Sequence, residues 1–233
     1  RIETVRSFAI QCRVVSPPDH IDPGEFVSTV QPLLERRDLQ SLYALLKGRW
    51  TAAQIVSLLS CRCCDARKVA ALCLSLVGQS CCIPELAMRL CDSDPMVNQM
   101  AEHAMWSIWF RGGCPKANHE LIRGAKAMER RDHEHAITHF DSAIEFSADF
   151  SEAYNQRAIA RFLLERFKES LTDCRMVLEL EPRHFGAWAG MGHNHAHLGD
   201  TKEAIRCYEQ ALSINPHMTG IEAAVKELRD HCA

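Results

Sequence analysis

The sequence predicts an all-α fold, a helical-repeat solenoid, and three observations predict it. Three consecutive 34-residue windows, starting at Ala117, Ser151 and Phe185, align without a gap. Upstream, apolar positions recur at a spacing of 31 residues. Nowhere does the chain show the sustained two-residue alternation that a half-buried strand requires. A period of this length marks a unit of one supersecondary element, stacked on copies of itself.

Within the 34-residue windows the residue types follow a packing logic. The eighth positions are Gly124, Ala158 and Gly192, and the twentieth are Ala136, Ser170 and Ala204. Small residues there let two antiparallel helices approach closely. The twenty-fourth positions, Phe140, Cys174 and Tyr208, supply larger side chains to fill the layer between neighbouring hairpins. At the thirty-second stand Ala148, Pro182 and Pro216, and proline there ends the second helix. Gly199-Asp200-Thr201 separates the two helices of the last unit, with Asp200 or Thr201 placed to cap the second. Each unit is thus a helical hairpin with an apolar face that only a neighbour can bury.

With Tyr154 and Trp188 at the aromatic fourth position and Pro182 and Pro216 at the closing one, residues 117–218 resemble three tetratricopeptide repeats, 117–150, 151–184 and 185–218. The first departs most, carrying Glu120 and Ala148 at those places. Residues 219–233 follow, with Ile221, Ala224, Val225 and Leu228 on one helical face, as a capping helix closing the last unit requires.

In the first half, Ile55, Leu59, Val69, Ala70, Cys73, Leu74 and Val77 precede Leu86, Leu90, Met100, Ala101, Ala104, Met105 and Ile108 by 31 residues. Two helices per unit produce that pattern, with joints at Arg62–Ala66 and Ser93–Met96. Asp94-Pro95 suits the opening of the later helix. Residues 25–111 resemble HEAT-like repeats on this ground, with Glu25–Arg36 and Leu39–Lys47 as a further helical pair. Residues 1–24, holding Ser16-Pro17-Pro18 and Asp22-Pro23-Gly24, read as an irregular lead-in, and residues 112–116 as a linker. The two halves then form one superhelical ribbon, or dock after a bend at Gly112-Gly113.

Composition limits the function. The 233 residues carry a net charge of −3, about +2 before residue 117 and −5 after it, so nucleic acid and anionic membranes are not expected partners. The longest apolar run, Val69–Val77, is too short to cross a bilayer. Seven of the 12 cysteines fall between Cys61 and Cys91, several as adjacent pairs. They read as small helical hydrophobes in a reducing, cytoplasmic setting. The sequence opens on Arg1 and not on methionine, the pattern of a fragment.

No phosphate loop, dinucleotide turn or nucleophile elbow is present, so no catalytic residue and no cofactor is assigned. His193 and His197, like His135 and His139, stand four apart on a helix, a spacing that suits a metal only if further ligands converge. His195, at an eleventh position, reads as a packing residue. Cys61-Arg62-Cys63-Cys64 lacks the second cysteine pair of a structural zinc site. No metal ligands are assigned.

What remains is a binding surface. The tetratricopeptide resemblance implies a concave groove lined by the first helix of each unit. Its lining here includes Leu121, Met128, Asn155, Ile159, Phe162, Ala189 and His193, an apolar floor with a polar rim, suited to an extended or helical peptide. Relatives that grip acidic chaperone tails use lysine and asparagine where this chain has Leu121 and Ala125, so those tails are not expected partners. The expected function is a non-catalytic protein–protein interaction scaffold or adaptor. Two alternatives are a regulatory C-terminal region of a larger enzyme and a metal- or redox-responsive module built on the histidines and cysteines.

Overall fold

The computed structural model describes residues 21–230. Most of the lead-in expected over 1–24, and the last three residues of the expected cap, lie outside them. Among the described residues there are thirteen α-helices and no strand. No helix there is long and apolar enough to cross a membrane.

The first half holds α1 (Pro23–Glu35), α2 (Leu39–Arg49), α3 (Ala52–Ser57), α4 (Cys64–Val77), α5 (Ile83–Arg89) and α6 (Pro95–Phe110), with short 3-10 turns at Leu58–Ser60 and Ser80–Cys82. Asp22-Pro23-Gly24, read from sequence as irregular, starts a helix instead. Asp22 accepts the Glu25 amide at 2.7 Å, and Pro23 occupies the first turn, where its missing N–H costs nothing. Asp94-Pro95 opens α6 in the same way. The 31-residue pairs Ile55/Leu86, Leu59/Leu90, Ala70/Ala101, Cys73/Ala104 and Leu74/Met105 are all buried in one core.

Arg111 ties the end of α4 to the end of α6. Its guanidinium donates to the carbonyls of Ser75, Leu74 (3.2 Å), Gly78 (3.0 Å) and Ser107 (3.1 Å). Apart from that of Leu74, which also accepts the Gly78 amide, these are carbonyls a helix end leaves without a partner, and a cation there also complements the helix dipole.

The second half is three helical hairpins, α7 (Pro115–Glu129) with α8 (His133–Phe146), α9 (Ser151–Leu163) with α10 (Phe167–Leu180), and α11 (Phe185–His197) with α12 (Thr201–Ile214). Helix α13 (Thr219–Asp230) lays Ile221 and Val225 on Tyr208 and Ala211. Pro115 and Lys116, read as linker, belong to α7, again because proline fits a first turn.

Positions eight and twenty-four are matched as a pair. A Cβ on Gly124 would sit 2.3 Å from the Phe140 ring, and one on Gly192 would sit 2.3 Å from Tyr208. The middle hairpin has the complementary solution, Ala158 against the smaller Cys174. The fourth-position aromatics reach back to the preceding unit, Tyr154 Oη donating to the Ala148 carbonyl and Trp188 Nε1 to that of Pro182, each at 3.2 Å. At position fifteen each hairpin turns through the left-handed region, at Arg131 (φ 60°), Glu165 (φ 58°) and Gly199 (φ 80°).

The two halves dock. Trp106 and Trp109 of α6 pack on His184 and Phe185 at the start of α11. A Cβ on Gly186 would lie 2.8 Å from Trp106, so glycine permits that approach. His217 Nε2 also meets the Leu90 carbonyl at 2.9 Å.

Candidate binding groove

The seven expected groove residues divide into three groups. Asn155, Ile159 and Phe162 from α9 and His193 from α11 line one cavity of about 280 Å³, together with Leu163, Cys174 and Gly190. Leu121 and Ala189 face helix interfaces: Leu121 is only 1% exposed, packed among Ala136 and Phe140, and Ala189 lies in the cluster around Tyr208. Met128 packs at the margin of the first hairpin's core, apart from the cavity. The fifth position is buried in all three units, Asn155 too being only 3% exposed, and of the three only Asn155 forms part of the cavity wall.

Local sequence explains why the cavity is where it is. The middle hairpin has Cys174 where its neighbours have Phe140 and Tyr208, and the opposing α11 has Gly186 and Gly190. Missing side-chain volume on both walls leaves a hollow between α9 and α11. Its wall is mostly carbon. Ile159 is 40% exposed at the mouth, and Phe162 stacks edge-on against Phe167 and His197. Larger hollows, of about 530 Å³ between α12 and α13 and about 370 Å³ beside Arg111, carry Glu209, Glu222, Lys226 and Arg229, or Lys47 and Arg111.

The histidines find partners within the protein. His193 Nδ1 faces Tyr208 Oη at 2.8 Å, and burial together with the neighbouring His197 lowers its pKa. His197 stacks on Phe167, His139 Nδ1 meets Glu120 at 2.7 Å, and His135 Nδ1 meets Asp132 at 2.9 Å. Among the described residues neither four-apart pair is part of a cluster of three metal-ligating groups.

Ten described cysteines are free thiols. Only Cys73, Cys82, Cys174 and Cys207 are buried, so the reading as packed hydrophobes holds for four of them. Cys63, Cys81, Cys91 and Cys114 are exposed, because they sit in turns and at helix ends. Around Cys61–Cys64 the nearby cations are already engaged, Arg67 by both oxygens of Asp92 and Lys68 by Asp94 at 2.9 Å. Cys64 donates to Asp94 at 3.0 Å, which raises its pKa and disfavours the thiolate.

The residues that sequence reasoning missed lie where the halves meet. Glu152 and His184, both fully buried, pair at 3.1 Å, and His184 Nδ1 accepts the Ala187 amide at 3.1 Å. Glu152 also accepts from Asn155 (3.2 Å) and Gln156 (2.6 Å), which fixes one rim of the cavity. Nothing in their spacing of 32 residues signals contact; only the repeat phase, placing one at the start of a unit and one at its end, could have suggested it.

These hairpins, their matched packing pairs and the hollow between first helices define a helical-repeat solenoid. The tetratricopeptide repeat family model matches residues 186–218, the last of the three hairpins. It is 32% identical over 108 residues to a TPR repeat-containing protein of Rhizobium etli, covering 46% of this chain and 53% of that one. Over 117 residues it is 26% identical to the Hsp70-Hsp90 organizing protein of Triticum aestivum, covering 50% of this chain and 20% of that one. Among solved structures, the Sgt2 TPR domain from Aspergillus fumigatus superposes with a TM-score of 0.50 at 17% identity, covering 52% of this chain and 81% of that one, a likeness of fold. The chain spans about half the length of the first of these relatives and a fifth of the second.

Proposed function

We propose that the protein is a non-catalytic interaction adaptor that takes a peptide or partner helix across α9 and α11, with one large apolar side chain seated in the hollow between them. The observation that carries this reading is the 280 Å³ cavity walled by Ile159, Phe162 and Leu163 and rimmed by Asn155 and His193. An apolar anchor with a few fixed polar groups around it is the usual composition of a recognition pocket. Its relatives support an adaptor role in general terms, one of them being named as an organizer of two chaperones.

The reading extends to the identity of the partner. Leu121, buried in the first hairpin, and Ala125 supply no cation or amide for a carboxylate, which supports a ligand other than an acidic chaperone tail. The HEAT-like reading of residues 25–111 is supported by the buried 31-residue pairs. A reducing, cytoplasmic setting fits Cys73 and Cys174, which pack as thiols in the core.

The test is affinity capture from the native source with the wild-type chain and with Ile159→Ala, Phe162→Ala and His193→Ala combined, folding being checked by circular dichroism. Loss of the captured partners supports the groove. Their survival overturns it and moves attention to the first half. Micromolar binding of an acidic C-terminal pentapeptide in calorimetry would overturn the statement about chaperone tails.

A further inference from the structure

The eleventh, nineteenth and twenty-third positions of the repeat converge at the turn between the two helices of a hairpin. In the middle unit they are Arg161, Glu169 and Asp173, and they form an ion-pair group: Arg161 Nη1 meets Asp173 at 2.6 Å, and its Nε lies 3.8 Å from Glu169. Arg157 adds a second cation on Asp173 at 2.6 Å. In the last unit the same positions are His195, Glu203 and Cys207, and the place of Arg157 is taken by Met191. The guanidinium groups of Arg157 and Arg161 have no counterpart there, although Arg206, one turn further along α12, holds one oxygen of Glu203 at 2.8 Å. What stands there is an imidazole, a carboxylate and a thiol, whose ligand atoms all lie within 4.8 Å of one another.

We propose that His195, Glu203 and Cys207 form a binding site for a divalent transition metal, zinc by the character of its ligands. One nitrogen, one sulfur and one oxygen donor suit a borderline-soft ion that takes four ligands in a tetrahedron. Ligands about 2.0–2.3 Å from zinc stand roughly 3.5 Å apart, so atoms within 4.8 Å of one another need to close by at most about 1.3 Å. Asp200, whose carboxylate is 3.7 Å from His195 Nδ1, is positioned to complete the set or to orient the imidazole. Glu203 and Cys207 are four apart on α12, and His195 comes from the end of α11, so the ion would staple the hairpin that the middle unit closes with arginines. Coordination displaces the thiol proton of Cys207 to solvent. This site shares no ligand with the peptide groove, and either proposal can fail alone.

The full-length chain is titrated with cobalt(II) alone, read by thiolate-to-cobalt charge-transfer absorption, and cobalt is then displaced with zinc. A background carrying Cys61→Ser, Cys63→Ser and Cys64→Ser keeps the thiols of that turn out of the signal. The expected result is one equivalent bound, a charge-transfer band lost in Cys207→Ser, and an affinity lowered at least about 100-fold in His195→Ala. Glu203→Gln, at a half-exposed position, serves as a second variant and weakens binding in the same direction. His193→Ala with His197→Ala leaves the band unchanged. No band in the triple-serine background, or a band and affinity indifferent to His195→Ala and Glu203→Gln, overturns the site.

Discussion

His184 lies flat on Trp109, with ring centroids 4.0 Å apart and planes inclined by 23°. One ring belongs to the end of the middle 34-residue unit and the other to α6, so this stack joins the two halves of the molecule. The imidazole is held from behind by Glu152, from the start of the same unit. A polar pair with no exposure is tolerated only because each member has partners. Replacing Glu152 with alanine is expected to cost about 3 kcal/mol, since it leaves His184 buried beside an empty acceptor position. Trp109→Ala is expected to cost about 3–5 kcal/mol. Because both act on His184, the double variant should cost clearly less than the sum, as read by urea denaturation. Strict additivity would show that the ring stack does not couple the halves.

The match between positions eight and twenty-four makes a second prediction. Gly124→Ala places a methyl group 2.3 Å from the Phe140 ring, and overpacking of this kind costs about 1–3 kcal/mol. In a Phe140→Cys background, which copies the Ala158–Cys174 arrangement of the middle hairpin, the same change should be neutral or stabilising, since alanine is the better helix former by about 1 kcal/mol. The check is the melting temperature of the four chains in the cycle. A Gly124→Ala penalty of equal size in both backgrounds would refute the matching.

Position fifteen yields a third. Glu165 is exposed and holds φ at 58°, where a side chain costs about 1 kcal/mol and glycine costs nothing steric. Glu165→Gly should therefore stabilise by about 0.5–1 kcal/mol, and Arg131→Gly should act alike. Gly199→Ala, at φ 80°, should lose about 1 kcal/mol or more. Opposite signs at one repeat position, measured by thermal melting, are the signature. Three changes of the same sign would contradict it.

The phase of the repeat was legible because position eight, position twenty-four and the closing prolines answer to packing between adjacent helices, and that packing is local in sequence. Asp200 as a cap and the apolar face of Ile221 and Val225 were legible for the same reason. What could not be read was how far each groove position is open. Leu121 and Asn155 share the fifth position, yet one is core and the other lines the hollow, a difference set by the volume of Cys174, Gly186 and Gly190 on other helices. The cluster of His195, Glu203 and Cys207 was hidden likewise. His195 reads from sequence as a packing residue between His193 and His197, the pair four apart on α11, whereas its partners stand on α12.

A fourth prediction concerns acid. Asp92 is nearly buried, which by itself would raise its pKa, but the two bonds from Arg67 (2.8 and 2.9 Å) outweigh that and hold it below the ordinary value. Asp94 is lowered as well, by its bonds from Cys64 and Lys68. A carboxylate whose pKa is lower folded than unfolded contributes stability that is complete above the unfolded value, near 3.8, and lost as pH falls below it. Stability of the first half should therefore decline as pH falls from about 4, beyond the general effect of net charge. Asp92→Asn, which cannot bind Arg67 as an anion, should lower the melting temperature at pH 7 and flatten its decline between pH 5 and pH 3. Circular dichroism melts of the two chains across that range provide the comparison. Parallel curves would mean that the Arg67–Asp92 pair does not contribute to the acid sensitivity of the fold.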